Sequence, residues 1–133
     1  MTRIQSDKDP ITHIRAACLA LPEAVEQPFG GHTAPSFRVW GKLFVMTSED
    51  GSVMTFKAAP GVQQVLVGSD AGRFFVPAYV GHKGWVGARL DVEQDWDEIA
   101  ELIEDSYRLI APKRLSKLLD LLAPKPPQGA LPR

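Results

Sequence analysis

The stretch that decides the fold is FRVWGKLFVMTSEDGSVMTFKAAPG, which runs from Phe37 to Gly61. Runs of aromatic and β-branched residues alternate in it with turn formers, namely Gly41 after the first run and Asp50-Gly51 after the second. An Asp-Gly pair between apolar runs is a strong hairpin signal, because both residues tolerate a positive φ. The stretch therefore predicts three antiparallel strands, at 37–40, 43–47 and 53–57.

A helix and then a loop are predicted on the N-terminal side of these strands. Asp9 followed by Pro10 is typical of a helix start, and apolar residues recur behind it every three or four positions until Pro22. The segment QPFGGHTAPS (27–36) is rich in Gly and Pro and predicts a loop, in which no role can be assigned to His32. A loop that leads into a sheet often carries function.

Helices are also predicted on the C-terminal side. A short helix is expected within 58–70. Asp95 can cap a long helix while Glu98, three residues later, reaches back toward it as in a capping box. Pro112 should end that helix, because it lacks the N–H that a continuing helix needs, and a last helix follows at 113–122.

Two further strands are predicted in RFFVPAY (73–79) and GWVGARLD (84–91), on either side of the turn VGHKG. The whole pattern indicates a single α+β domain, with about five antiparallel strands and helices packed on one face. We expect this domain to span 9–123, between a polar N-terminal segment (1–8) and a flexible Pro-rich tail (124–133).

Composition excludes several classes of function. The 133 residues include 15 Lys and Arg against 16 Asp and Glu, so the chain as a whole has no electrostatic attraction for nucleic acid. One cysteine, Cys18, excludes an intramolecular disulfide and falls on an apolar helical stripe.

Because no catalytic motif or metal-ligand spacing is evident, we expect no enzyme activity, no metal and no cofactor. A polar N-terminus and the lack of a long apolar run predict a cytoplasmic protein without a membrane partner.

Charge is distributed unevenly near the C-terminus. Between Asp91 and Asp105 there are eight acidic residues and no Lys or Arg. Acidic residues near a helix N-terminus complement the helix dipole, which is sufficient to explain the cluster. The alternative is a site for a divalent cation, which prefers carboxylate oxygens.

The pieces PSFRVWGKLF, MTFKAAPG, GWVGARLD and IEDSYRLIAPKRL, taken in this order, resemble the MmcQ/YjbR family of small bacterial proteins. The resemblance implies an α+β domain related to the frataxin-like (CyaY-like) fold. It also implies a DNA-binding role through an arrangement called a double wing. The family's recurring basic and aromatic positions fall on Arg38, Lys42, Lys57, Lys83 and Trp85.

The candidate binding residues are Arg38, Lys42, Lys57, His82, Lys83 and Trp85. Phosphate binding needs donors that converge on one surface, and an aromatic ring beside them can stack on a base. The leading hypothesis is therefore a non-catalytic DNA-binding module that contacts phosphates through these cations. The alternative is a binding or adaptor protein that uses the sheet and the turn VGHKGW for a small anionic ligand or a protein partner. A third interpretation is ordinary surface charge, including lysines that discourage pairing between sheet edges.

Overall fold

The strands predicted within Phe37–Gly61 form the centre of the sheet. The computed structural model describes residues 9–27 and 34–122, and in these ranges the chain forms four α-helices and one antiparallel sheet. The strands are β1 (Ala24–Glu26), β2 (Ser36–Val39), β3 (Lys42–Thr47), β4 (Val53–Phe56), β5 (Phe74–Phe75) and β6 (Val86–Arg89). The helices are α1 (Pro10–Leu19), α2 (Val62–Ser69), α3 (Trp96–Ile110) and α4 (Lys113–Leu122). The predicted N-terminal segment, His32 and the predicted tail lie outside the described residues.

Two tight turns connect the central strands as predicted. Trp40 (φ 54°) and Gly41 (φ 76°) join β2 to β3, and positive φ at both positions matches the twist of an antiparallel hairpin. In the turn between β3 and β4, the Asp50 carboxylate accepts hydrogen bonds from the Ser52 hydroxyl (2.7 Å), the Ser52 N–H (3.0 Å) and the Ser48 hydroxyl (2.8 Å). These bonds stabilise the charged carboxylate and lower the pKa of Asp50 to about 2, those from Ser52 contributing most.

The sheet has six strands among the described residues rather than about five, in the order β1-β2-β3-β4-β6-β5. The unpredicted strand is β1, which pairs antiparallel with β2 through Ala24↔Val39 and Glu26↔Phe37. Glu23 has a φ of 60°, which turns the chain between α1 and β1. The strand predicted across 73–79 is shorter than expected: β5 contains two residues and ends before Pro77, which has no N–H to donate to a ladder.

The core lies between one face of the sheet and the helices, which confirms the predicted α+β domain with helices on one face. Phe37, Val45, Phe56 and Val86 project from four neighbouring strands and are at most 1% exposed. A register shift between β2 and β3 inserts one extra residue, so that Phe44 is also fully buried beside Val45. Burying side chains of this size contributes about 1.5 to 3 kcal/mol each, which makes this face the main source of stability.

Helices α1 and α3 pack against this core. In α3, the Tyr107 ring meets Phe44 edge-on at 5.8 Å between centroids, and its hydroxyl donates to the Pro22 carbonyl at 2.8 Å. In α1, Cys18 is fully buried, and burial raises the pKa of its thiol. Cys18 is therefore an unreactive core residue, as its position on the apolar stripe predicts.

The predicted limits of α3 are confirmed, but half of its predicted capping box is wrong. Asp95 accepts hydrogen bonds from the N–H groups of Asp97 (3.1 Å) and Glu98 (3.3 Å). Glu98 does not complete the box, because its carboxylate accepts a 2.7 Å bond from the guanidinium of Arg73, a charged and therefore stronger donor than a backbone amide. At the other end, Pro112 separates α3 from α4 as predicted.

No helix in the described part of the chain is long and apolar enough to cross a membrane.

Candidate basic cleft

A cleft opens at the end of the sheet where β4 ends and β6 begins. The pair Phe56↔Val86 places the start of the 57–61 segment next to the turn that precedes β6. The side chain of Leu109, from α3, lies on the third side. The cavity between these three parts has a volume of about 610 Å³, and we call it the basic cleft.

Three of the predicted site residues line the basic cleft: Lys57, His82 and Lys83. His82 and Lys83 are exposed on a one-turn 3-10 helix, Gly81–Lys83, which ends at Gly84 with a φ of 89° that favours glycine. Lys57 comes directly after β4 and is half-buried. Residues 26 positions apart in the chain are thereby brought to one concave surface by the pairing of β4 with β6.

Trp85 supports this surface instead of being displayed on it. Its side chain is only 7% exposed, so in this structure its ring cannot stack on a base as the sequence analysis envisaged. The ammonium of Lys57 lies 5.8 Å from the centroid of the Trp85 ring, within the range of a cation–π interaction. Trp85 therefore helps to fix the position of Lys57.

The N-terminus of α2 forms part of the same cleft. Gly61 is its N-cap residue, with a φ of 89° and no side chain to accept hydrogen bonds from the first turn. Pro60, Gly61 and Gln64 all line the cavity. The helix dipole places partial positive charge at this end, which adds to that of the two lysines.

Gln63 organises the cleft and was missed by sequence reasoning. Its side-chain nitrogen donates to two backbone carbonyls, those of Gly81 and Trp85, both at 2.8 Å. These bonds attach the turn that carries His82 and Lys83 to α2, and Gln63 itself is buried. A signal was available, because Gln63 precedes Leu66 and Val67 by three and four residues and so shares their inward helical face.

Ser106 holds the backbone of Lys57 from the helix side. Its hydroxyl accepts a hydrogen bond from the Lys57 N–H (3.1 Å) and donates to the Phe44 carbonyl (2.9 Å). Ser106 is fully buried. The backbone of Lys57 is thus bound to α3 through Ser106, and Ser106 in turn is bound to β3 through the Phe44 carbonyl.

The structure does not place Arg38 and Lys42 among the described residues that line the basic cleft. Arg38 is half-buried in β2, and its guanidinium donates to the Gly41 carbonyl at 3.1 Å, within its own hairpin. Lys42 is exposed at the start of β3. Because Val45 pairs with Phe56, Lys42 and Lys57 lie at the same end of the sheet, although only Lys57 enters the cavity.

An exposed tryptophan, Trp40, lies at the same end of the sheet. Its side chain is 59% exposed, and its ring nitrogen donates to the Glu23 carboxylate at 3.2 Å. Arg114 of α4 binds the same carboxylate at 3.2 Å and lies 5.6 Å from the centroid of the Trp40 ring. The bond from Arg114 is the main reason that the pKa of Glu23 is lowered.

Metal-ligating side chains do not cluster in the described part of the chain. Across residues 9–27 and 34–122, no three or more His, Cys, Asp and Glu side chains are grouped so that they could hold a metal ion. In the acidic segment that begins at Asp91, the carboxylate of Asp95 caps α3 and the carboxylate of Glu98 forms an ion pair with Arg73.

Comparison with known families assigns the chain to a protein family. The family model of YjbR matches residues 19–109, which is more than half of the chain. The chain belongs to the YjbR family. The matched region of the YjbR domain contains the whole basic cleft, including Gln63 and Leu109, so the cleft is built from the family domain.

A solved structure has a similar fold. The crystal structure of Deinococcus radiodurans protein DR2400, which carries the family-model domain DUF419, has a TM-score of 0.68 to this YjbR domain protein. The two chains are 21% identical, and the similarity covers 92% of this chain and 95% of the other. At this level of identity the likeness concerns the fold. No curated protein matches the sequence.

Proposed function

We propose that this YjbR protein is a non-catalytic binding protein that holds an anionic group, such as a phosphate, in the basic cleft. The observation that carries the proposal is the convergence of Lys57, Lys83 and His82 on one cavity, beside the N-terminus of α2. Two ammonium groups and a helix N-terminus all favour an anion over a cation or a neutral ligand. Concave sites with a few converging polar groups are typical of ligand pockets.

The local charge supports this function better than the total charge does. The chain carries a formal net charge of −1, so long-range attraction of a polyanion is weak. A small anion needs only a few donors, and the basic cleft supplies them within one cavity. The supporting hydrogen bonds of Gln63 and Ser106 hold the backbone that carries these donors before a ligand arrives, which lowers the entropic cost of binding.

The experiment is a titration of the ¹⁵N-labelled protein with inorganic phosphate and pyrophosphate, followed by amide chemical shifts. We expect saturable shifts at Gly81, Lys83 and Gly84, and a loss of affinity of about tenfold or more in Lys83→Glu, because a hydrogen bond to a charged group contributes about 1.5 to 3 kcal/mol. Lys117→Glu is the matched control, since Lys117 is exposed on α4 and does not line the cleft. Equal affinity in the two variants, or shifts that never saturate, would refute the proposal.

DNA binding is the second candidate function. Its specific support is Lys42, which lies at the same end of the sheet as the basic cleft, so that cations are available to more than one phosphate along a backbone. The family resemblance implies the same role. If several phosphates are bound, the logarithm of the affinity should fall with the logarithm of salt concentration by about 0.9 for each phosphate contacted.

Fluorescence anisotropy of a labelled duplex, at low and near-physiological salt, separates the two candidates. A DNA-binding protein should lose affinity in both Lys42→Glu and Lys83→Glu, whereas binding of small anions should be lost in Lys83→Glu alone. Absence of duplex binding at low salt would remove the DNA candidate and leave the small-anion proposal standing.

A further inference from the structure

A second cavity adjoins the basic cleft. Its volume is about 210 Å³, and it lies between α3 and the segment that connects β4 to α2. Its walls are mainly apolar, with side chains from Phe56, Val62 and Leu102. We call it the apolar cavity.

The two cavities share part of their walls. Lys57, Ala58, Ala59 and Leu109 line both of them. A ligand whose anionic group is bound by Lys57 therefore lies directly beside the apolar cavity.

We infer that the ligand of this protein is amphipathic, with an anionic head in the basic cleft and a short apolar body in the apolar cavity. The inference rests on the proposed function, because the basic cleft must hold the head. It adds the class of ligand: an alkyl or single-ring phosphate, or a similar acid, in place of a free inorganic anion.

Charge fixes the direction in which such a ligand lies. Asp105 lines the apolar cavity but not the basic cleft, whereas Lys83 and His82 line the cleft and not the cavity. A carboxylate disfavours an anion nearby, whereas Lys83, which lines the basic cleft and not the apolar cavity, attracts one. The head is therefore directed to the cleft and the apolar body to the cavity.

Volume limits the size of the apolar body. Pockets for drug-sized ligands usually measure about 300 to 1,000 Å³, and the apolar cavity is smaller than this range. It suits a short chain or one ring and excludes the full tail of a membrane lipid. Affinity should therefore rise with chain length at first and then level off.

The experiment compares methyl, butyl and hexyl phosphate as ligands of the wild-type protein, with inorganic phosphate and 1-hexanol as references. Each buried CH₂ group should raise the affinity about three- to fourfold. Hexyl phosphate should therefore bind far more tightly than methyl phosphate, and 1-hexanol should bind weakly because it lacks the head. The chain-length series uses only the wild-type protein, so its result does not depend on the folding of any variant.

A variant then tests the place where the chain binds. Leu102→Gln changes a half-buried residue that lines the apolar cavity and not the basic cleft, and it nearly conserves volume. It should reduce the advantage of hexyl over methyl phosphate and leave methyl phosphate unaffected. Leu121→Gln, at a residue of α4 that is 80% exposed, is the matched control and should leave the advantage intact.

The outcomes separate this inference from the function on which it rests. If inorganic and methyl phosphate bind but chain length adds nothing, the amphipathic ligand is refuted and the anion site remains. If 1-hexanol binds as well as hexyl phosphate, the head is not required and the inference also fails. If none of the phosphates binds, the inference and the proposed function fall together.

Discussion

The clearest test of how the basic cleft is built is the substitution Gln63→Met, which keeps the length of the side chain and removes its donor. In the wild type the Gln63 nitrogen donates to the carbonyls of Gly81 and Trp85. The Gly81 carbonyl also accepts a 3.0 Å bond from the Gly84 N–H, so it keeps one partner in the variant. The Trp85 carbonyl loses a donor in a buried position.

These two losses give the expected magnitude. A typical hydrogen bond contributes about 1 kcal/mol net, and a buried group that loses its partner costs about 1 to 3 kcal/mol. The first applies to Gly81 and the second to Trp85. We therefore expect Gln63→Met to lower the free energy of unfolding by about 2 to 4 kcal/mol.

Urea denaturation followed by circular dichroism measures this loss, and Gln64→Met is the matched control. Gln64 is the next residue in α2, is exposed, and undergoes the same chemical change. Ordinary surface substitutions change the free energy of unfolding by less than about 0.5 kcal/mol. If Gln63→Met and Gln64→Met differ by less than this amount, Gln63 does not hold the turn and our account of the cleft is wrong.

Two further predictions concern the sheet. Gly87→Ala should destabilise the protein by about 1 to 3 kcal/mol, because an added Cβ would overlap the ring of Phe75. Gly68→Ala in α2, where an added Cβ has no atom within 4 Å, should instead be neutral or stabilising. Urea midpoints of the two variants would show the contrast. Asp50 has a lowered pKa of about 2 in the folded state, so its contribution to stability is present above the unfolded pKa near 4 and is lost as the pH falls toward 2. Asp50→Asn should therefore lose less stability than the wild type between pH 4 and pH 2, and parallel stability curves over that range would refute this assignment.

The parts of the fold that the sequence predicts are those governed by local chemistry. The turn at Asp50-Gly51, the cap at Asp95 and the break at Pro112 each depend on the conformational preferences of residues close together in the chain. Strand β1 was missed because three residues, Ala24–Glu26, carry too little pattern, and their extended state depends on pairing with β2. The capping box failed for a similar reason, since Arg73 lies far from Glu98 in sequence and reaches it only in the folded chain.

The residues of the candidate site could likewise be predicted only where local sequence determines them. Basic side chains near turns can be read from the sequence, and three of them do share a cavity. Which of them converge depends on strand order, because β6 adds to β4 and brings the Gly81–Lys83 turn beside Lys57. The burial of Trp85 is likewise a tertiary property. The pattern of residues around Trp85 does not distinguish a ring that supports a lysine from a ring displayed to solvent.

The position of β6 in the sheet has a consequence for how the protein folds. Strands β1, β2 and β3 each pair with the next strand in the chain, so their contacts can form early and at low entropic cost. β6 then pairs on one side with β4 and on the other with β5, which comes before it in sequence. β5 consequently has no place in the ladder until the chain beyond it has docked. The basic cleft, whose two sides are joined by the β4–β6 pairing and by the hydrogen bonds of Gln63, belongs to this late step. Amide hydrogen exchange there should be faster than in the hairpin of β3 and β4.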